Sequence, residues 1–222
     1  MMVETRDPVA EAMRRVRRAD FLPQDLRGSA EYDGPVPIGH GQTNSQPRTV
    51  EAMLRLLEVP AGGRVLDVGS GSGWTTALLA VLVGAPGEVV GVELVPDLVE
   101  RGAAAVARVL ARDAAETSRA ARTDGAARTD GTARTDGTAV GRARIVQARE
   151  GELGWPAGAP YDRILVSAQP HRLPEELVAQ VGAPGIMVIP VRGEMLRVVR
   201  DAAGEVTVTR HGAYRFVPLL GG

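Results

Sequence analysis

The sequence predicts an α/β fold of three layers, a doubly wound and mostly parallel sheet between helices, with an antiparallel edge near the C-terminus. Three observations carry that prediction. Arg64-Val65-Leu66-Asp67-Val68 is a short β-branched run that feeds Gly69-Ser70-Gly71-Ser72-Gly73 and then the helical stretch Trp74 to Ala80, a unit of strand, glycine turn and helix. A second strand, Glu88 to Val92, ends at Glu93, and Pro96 opens a helix carrying Leu98, Val99, Ala103 and Val106; such alternation calls for a parallel sheet. The tail, Met195 to Arg200 and Glu205 to Arg210 around Asp201-Ala202-Ala203-Gly204, reads as a hairpin.

The other elements follow in chain order. Asp7 can cap a first helix, Pro8 suits its first position, and Val9, Met13 and Val16 share a face. Arg14, Arg15, Arg17 and Arg18 read as its solvated face. From Phe21 to Gly41, seven Pro and Gly residues (Pro23, Gly28, Gly34, Pro35, Pro37, Gly39, Gly41) forbid long regular structure. After Gln42-Thr43-Asn44-Ser45-Gln46-Pro47 a helix buries Val50, Met53, Leu54 and Leu57, and Pro60-Ala61-Gly62-Gly63 ends it. Later strands are expected at Ala143 to Gln147, Arg163 to Ser167 and Ile186 to Val191, with a helix from about Pro174 to Val181. The period-six repeat from Ala121 to Thr138, with Asp124-Gly125, Asp130-Gly131 and Asp136-Gly137, has no large apolar residue and reads as a surface insertion, since Asp-Gly favours turns. The expected organisation is one domain over 1–222, with an N-terminal helical and loop segment to 60, a core over 61–220 and a low-complexity insertion over 113–141.

Composition narrows the chemistry. With 222 residues the chain is long enough to bury a real core, and its formal charge of -1 supplies no cation excess for nucleic acid or an anionic membrane. It has no cysteine, which excludes a disulfide framework, a thiolate nucleophile and cysteine zinc sites; His40, His171 and His211 are scattered, so no metal site is expected. All 26 basic residues are arginine, which removes Schiff-base chemistry and the P-loop lysine. No secretory leader is read at the N-terminus, and the longest mostly apolar run, Ala77 to Ala85, falls far short of the roughly 20 residues that span a bilayer. A cytoplasmic, monomeric enzyme with neither nucleic acid nor membrane as partner is the expectation.

The glycine turn lets backbone N–H groups approach a nucleotide-like ligand closely. A dinucleotide fingerprint needs a small sixth residue for tight helix packing, and here that residue is Trp74. S-adenosylmethionine fits better: Asp67 would sit near its cationic end, and Glu93 would accept both ribose hydroxyls. The structural alternatives are that Asp67 caps the turn and Glu93 the following helix.

With these residues in view, the chain resembles the protein-L-isoaspartate O-methyltransferase family, class I S-adenosylmethionine-dependent enzymes with a Rossmann-like sheet. Pro37-Ile38-Gly39-His40-Gly41-Gln42-Thr43-Asn44-Ser45-Gln46-Pro47 is similar to that family's G-x-G-Q-T-x-S-x-P signature. Val65 to Trp74, Gly154-Trp155-Pro156 before Tyr161-Asp162, and Arg215-Phe216-Val217-Pro218-Leu219 support it in the family's order. The resemblance implies methyl esterification of the α-carboxylate of isoaspartyl residues in damaged proteins, a repair reaction that yields S-adenosyl-L-homocysteine. It implies Ser45 and Thr43 as the catalytic pair, Asp67, Gly69, Ser70, Gly71, Glu93, Leu94, Glu150 and Gly151 as cofactor contacts, and Gln42, Asn44, Gln46, Phe216 and Val217 as substrate contacts. Where the family usually has a G-D-G turn facing adenine, this chain reads Arg149-Glu150-Gly151, and Asn44 and Arg48 also depart from its commoner choices.

The residues suit that chemistry independently. A carboxylate with a pKa near 4 is ionised at neutral pH, so no general base is needed, and catalysis reduces to holding the oxygen in line and excluding water. Thr43, Ser45 and loop N–H groups can fix the anion; Ser45 is otherwise an ordinary helix cap, and no base partner supports it as a covalent nucleophile. Two other readings share the fold: a tailoring enzyme that esterifies Asp in a dedicated peptide, and a cofactor-binding homologue without turnover.

Overall fold

The structure, a computed structural model, describes residues 7–126, 139–149 and 151–219. Helix α1 (Pro8–Arg15) starts as its sequence predicts: the Asp7 carboxylate accepts from the N–H groups of Val9 and Ala10 at 3.1 Å each, and Val9 and Ala12 are buried. The solvated reading of the arginine cluster is corrected at two positions. The helix stops at Arg15 and a 3-10 turn (Arg18–Phe21) follows, so the register that would place all four arginines on one face is lost. Arg14 and Arg17 stay exposed, but Arg15 pairs with buried Asp113 at 2.6 Å and Arg18 is buried.

The Pro/Gly-rich segment holds a second 3-10 turn (Gln24–Ser29) and a small hairpin, β1 (Val36–Gly39) against β2 (Gln42–Asn44). Its tip, Gly39-His40-Gly41, has φ of +93°, +54° and +70°, a left-handed run in which glycine supplies two of three residues. Helix α2 (Pro47–Leu57) buries Val50, Met53, Leu54 and Leu57.

The seven-stranded sheet has the order β5-β4-β3-β6-β7-β8-β9: β3 (Arg64–Val68), β4 (Glu88–Glu93), β5 (Arg142–Gln147), β6 (Tyr161–Val166), β7 (Val181–Val191), β8 (Glu194–Arg200) and β9 (Val206–Ala213). β3 through β7 pair in parallel and β7, β8 and β9 antiparallel, the expected C-terminal edge. Helices α3 (Trp74–Val83), α4 (Pro96–Ala126) and α5 (Glu175–Val178) complete the layers. The helix expected from Pro174 to Val181 is one turn only, and β7 begins five residues before Ile186. Gly182, Pro184 and Gly185 deny that stretch a helix, while Val181 pairs with Tyr161. Helix α4 runs into the first repeat unit; positions 127–138, most of the repeat, lie outside the described residues.

Alternation along β3 decides what each face receives. Val65 joins the core beneath α1 to α4, whereas Leu66 and Val68 join the core on the α5 face. Asp67 therefore points with Val65 toward α3 and meets its first turn.

The glycine turn is clamped against α4. Gly73 adopts φ +86°, and a Cβ there would lie 2.7 Å from Val106 Cγ2 and 3.0 Å from the Gly102 carbonyl. On Gly102, a Cβ would lie 3.0 Å from the Gly71 carbonyl. Gly73→Ala should therefore lower stability by about 3 kcal/mol, combining left-handed strain with overpacking, as read by chemical denaturation.

Candidate active site

A cavity of about 450 Å³ opens at the carboxyl ends of the central strands. Gly69 to Ser72 follow β3, Glu93 to Val95 close β4, Ala148 and Arg149 follow β5, and Ser167 and Ala168 follow β6; all line it. β4 and β5 lie on one side of β3 and β6 on the other, so the cavity sits where strand order reverses, the crevice in which open α/β sheets bind ligands. Gln42 to Ser45 form one wall and Val217 to Leu219 another. The second wall is tied on by the Gln169 N–H to the Val217 carbonyl at 2.8 Å and the Leu219 N–H to the Gln169 carbonyl at 2.9 Å.

Asp67 lies fully buried beneath the turn. Its Oδ2 accepts from the hydroxyls of Thr75 at 2.7 Å and Thr76 at 2.6 Å, whereas Oδ1 is buried with no hydrogen-bond partner. Burial pushes its pKa up to about 6 against the pull of the two threonines, and the nearby Glu93 charge adds to the rise. Ser70, which lines the cavity, also has a buried hydroxyl without a partner. Glu93 is tied to backbone: Oε2 accepts from the Gly71 N–H at 2.9 Å, and Oε1 from the N–H groups of Leu94 at 2.8 Å and Val95 at 2.9 Å. Leu94 and Val95 precede Pro96, the first residue of α4, so Glu93 does not cap that helix; its carboxylate fastens the glycine turn to the end of β4 while lining the cavity.

The opposite wall is built from Arg18 outward. Its Nε donates to Asn44 Oδ1 at 2.7 Å, and Asn44 Nδ2 donates to Ser72 Oγ at 2.9 Å, which joins the Gln42–Ser45 segment to the glycine turn. Arg18 lies 5.6 Å from the ring centroid of Trp74, whose indole N–H donates to the Val16 carbonyl at 3.1 Å. Asn44 is buried and both ends of its amide are engaged, so it positions the wall. Gln42, Thr43 and Ser45 line the cavity. Ser45 caps no helix: the N-cap of α2 is Gln46, because Pro47 takes the first helical position. Gln46 lies outside the lining; its Nε2 donates to the Asp33 carbonyl at 3.0 Å and its Oε1 accepts from Thr49 at 3.2 Å. Phe216 also lies outside the lining, packed against the core on the α1 to α4 face, whereas Val217 lines the cavity.

Leu94, Gly151 and Glu152 line the remaining rim. Arg149 stacks over Trp155 at 4.6 Å from the ring centroid and pairs with Glu152 at 3.6 Å. Glu150 lies outside the described residues. Sequence reasoning missed Arg18, because four arginines within five positions look alike until the helix end is known. It also missed Gly102, whose signal was its place inside an otherwise well-formed helix.

Two unpartnered buried oxygens under a glycine turn, beside a cavity of small-ligand size, fit a polar cofactor at this crevice. The fold and site define a Rossmann-like methyltransferase. A model of the protein-L-isoaspartate(D-aspartate) O-methyltransferase family matches residues 2–222, and the chain belongs to that family. It is 36% identical over 222 residues to "Protein-L-isoaspartate O-methyltransferase 1" of Rhodopseudomonas palustris, covering 97% of this chain and 77% of that protein. It is 40% identical over 222 residues to "Protein-L-isoaspartate O-methyltransferase" of Myxococcus xanthus, covering 96% and 88%. A crystal structure of a Plasmodium falciparum chain described as a protein-L-isoaspartate O-methyltransferase, in complex with S-adenosyl-L-homocysteine, superposes with a TM-score of 0.74 at 25% identity, covering 98% of this chain and 92% of that one.

Proposed function

We propose that this chain is a protein-L-isoaspartate O-methyltransferase, which esterifies the α-carboxylate of isoaspartyl residues in damaged proteins and so begins their repair. The observation that carries the reading is that the Gln42–Ser45 wall and the glycine turn, joined through Asn44 and Ser72, line one cavity, in a chain whose family is defined by that reaction. When bound, S-adenosylmethionine supplies a methyl group on a positively charged sulfur. Asp67 Oδ1 and the Ser70 hydroxyl are the free polar atoms that would hold its amino-acid end. The remaining lone pairs of Glu93 would accept the ribose hydroxyls, with Gly69, Gly71, Leu94 and Gly151 completing the cofactor site.

The acceptor side works by placement. The substrate carboxylate arrives ionised, so no residue of this chain has to remove a proton. Thr43 and Ser45 hold it by hydroxyl and backbone donors, Gln42 and Val217 border it, and Gln46 and Asn44 act by fixing the wall. Transfer of the methyl group to an already ionised oxygen would leave no proton to remove, so this chain's residues have only to orient the anion and exclude water. Excluding water raises the energy of the anion and shortens its approach.

We further propose that residues 1–222 act as one methyltransferase domain, a cytoplasmic monomer whose partners are peptides. A net charge of -1 favours peptides over nucleic acid. Among the described residues no helix is long and apolar enough to cross a membrane. The test is transfer of labelled methyl to an isoaspartyl peptide and to its aspartyl twin: label on the isoaspartyl form alone is expected. Label on a particular aspartyl peptide alone would make the chain a tailoring enzyme instead.

A further inference from the structure

We propose that Arg18 is a positioning residue for methyl transfer, whose buried charge and hydrogen bonds turn the N–H group of Ser45 away from the protein interior to receive the substrate carboxylate. The proposal rests on the isoaspartyl reading above and names what holds its acceptor.

All five guanidinium N–H groups of Arg18 are engaged. Nε donates to Asn44 Oδ1 at 2.7 Å, one terminal nitrogen to the carbonyls of Ala30 at 3.4 Å and Tyr32 at 2.7 Å, and the other to the carbonyls of Gly34 at 2.7 Å, Asn44 at 3.1 Å and Ser45 at 3.0 Å. None of these acceptors is a carboxylate. Asp33, the acid whose charge Arg18 feels, pairs with Arg48 at 3.3 Å instead. The guanidinium is therefore satisfied by neutral oxygens and forms no ion pair of its own; Asp33, shared with Arg48, offsets only part of its charge, which leaves a positive field beneath the wall.

Peptide geometry gives the second half. The peptides Asn44–Ser45 and Ser45–Gln46 are trans, and a trans peptide points its C=O and N–H in opposite directions. Both carbonyls aim at Arg18, so the N–H groups of Ser45 and Gln46 aim away from it, and neither finds an acceptor among the described residues. Ser45 lines the cavity. Of the two free N–H groups, that of Ser45 belongs to a residue lining the cavity and, backed by a fixed cation, is placed to receive a carboxylate oxygen, whereas Gln46 lies outside the lining. A neutral residue at position 18 would release the carbonyls and remove the field together.

The test separates charge from scaffolding. Calorimetry in the presence of S-adenosyl-L-homocysteine compares an isoaspartyl peptide with the same peptide carrying an α-carboxamide in place of the α-carboxylate. The native protein should favour the carboxylate, and Arg18→Met should reduce that preference about tenfold, the scale of one partly desolvated charge interaction. Arg18→Lys, which keeps the charge but loses donors, should weaken both peptides and retain the preference. Equal loss for both peptides in Arg18→Met, or an unchanged preference, would overturn the proposal. Should Arg18→Met fail to fold, loss of the preference in a folded Arg18→Lys would overturn it. A native protein that neither binds nor methylates the isoaspartyl peptide would remove the isoaspartyl reading and this proposal with it, an outcome distinct from native turnover with an unaltered preference in the variants.

Discussion

Asp67→Asn should weaken binding of S-adenosylmethionine by roughly 100-fold, about 3 kcal/mol, the scale of a charge-assisted hydrogen bond to a buried carboxylate. The same substitution should make the ligand-free protein more stable at neutral pH. Asp67 is fully buried with one oxygen unpartnered, and burial holds its pKa at about 6, above the ordinary 3.8. A carboxyl group whose pKa is raised by folding contributes no penalty below pH 4, and stability is lost as pH climbs from about 4 to about 6. The shift corresponds to about 3 kcal/mol, part of which the uncharged amide recovers. Denaturation at pH 5 and pH 7.5 should show the stability gap between Asp67→Asn and the native chain widening at the higher pH. Cofactor affinity of the native chain should rise across the same interval, because an ionised Asp67 attracts the ammonium group, and in Asp67→Asn that rise should vanish. An Asp67 whose removal leaves cofactor affinity intact would mean that the unpaired oxygen serves the fold alone.

Ser45→Ala should lower turnover by about 100-fold, the effect of removing one donor aimed at a reacting anion, while binding of S-adenosyl-L-homocysteine stays as in the native protein. The separation is expected because Ser45 caps no helix and lines the cavity from the Gln42–Ser45 wall, whereas Asp67 lies buried beneath the glycine turn and outside the lining. The backbone N–H at position 45 survives the substitution, so residual turnover should remain. Steady-state kinetics with an isoaspartyl peptide reads the loss; rates equal to the native enzyme would take the hydroxyl out of the mechanism.

Much of this was legible in the sequence, and the limits have physical causes. The unit of strand, glycine turn and helix could be read because β-branched residues, glycines and a helical run follow one another without ambiguity, and strand alternation then fixed the face of Asp67. Glu93 was found at the right strand end, but a string of letters cannot show that its two oxygens are held by three backbone amides. The short extent of α5 and the early start of β7 escaped because leucines and valines around Pro174 to Val181 suit helix and buried strand alike. Arg18 was hidden by its neighbours: only the end of α1 at Arg15 distinguishes a guanidinium that turns inward from one that stays in water. Ser45 was open to a capping role until Pro47 at the first position of α2 placed the cap on Gln46.

The most direct measurement is a crystal structure of the chain with S-adenosyl-L-homocysteine and an isoaspartyl peptide. The product cofactor should lie over Gly69 to Ser72, with its amino-acid end at Asp67, and the peptide's α-carboxylate should lie within hydrogen-bond distance of the Ser45 hydroxyl and N–H. A carboxylate bound at Arg149 and Glu152, or a cofactor lying away from the glycine turn, would contradict this arrangement.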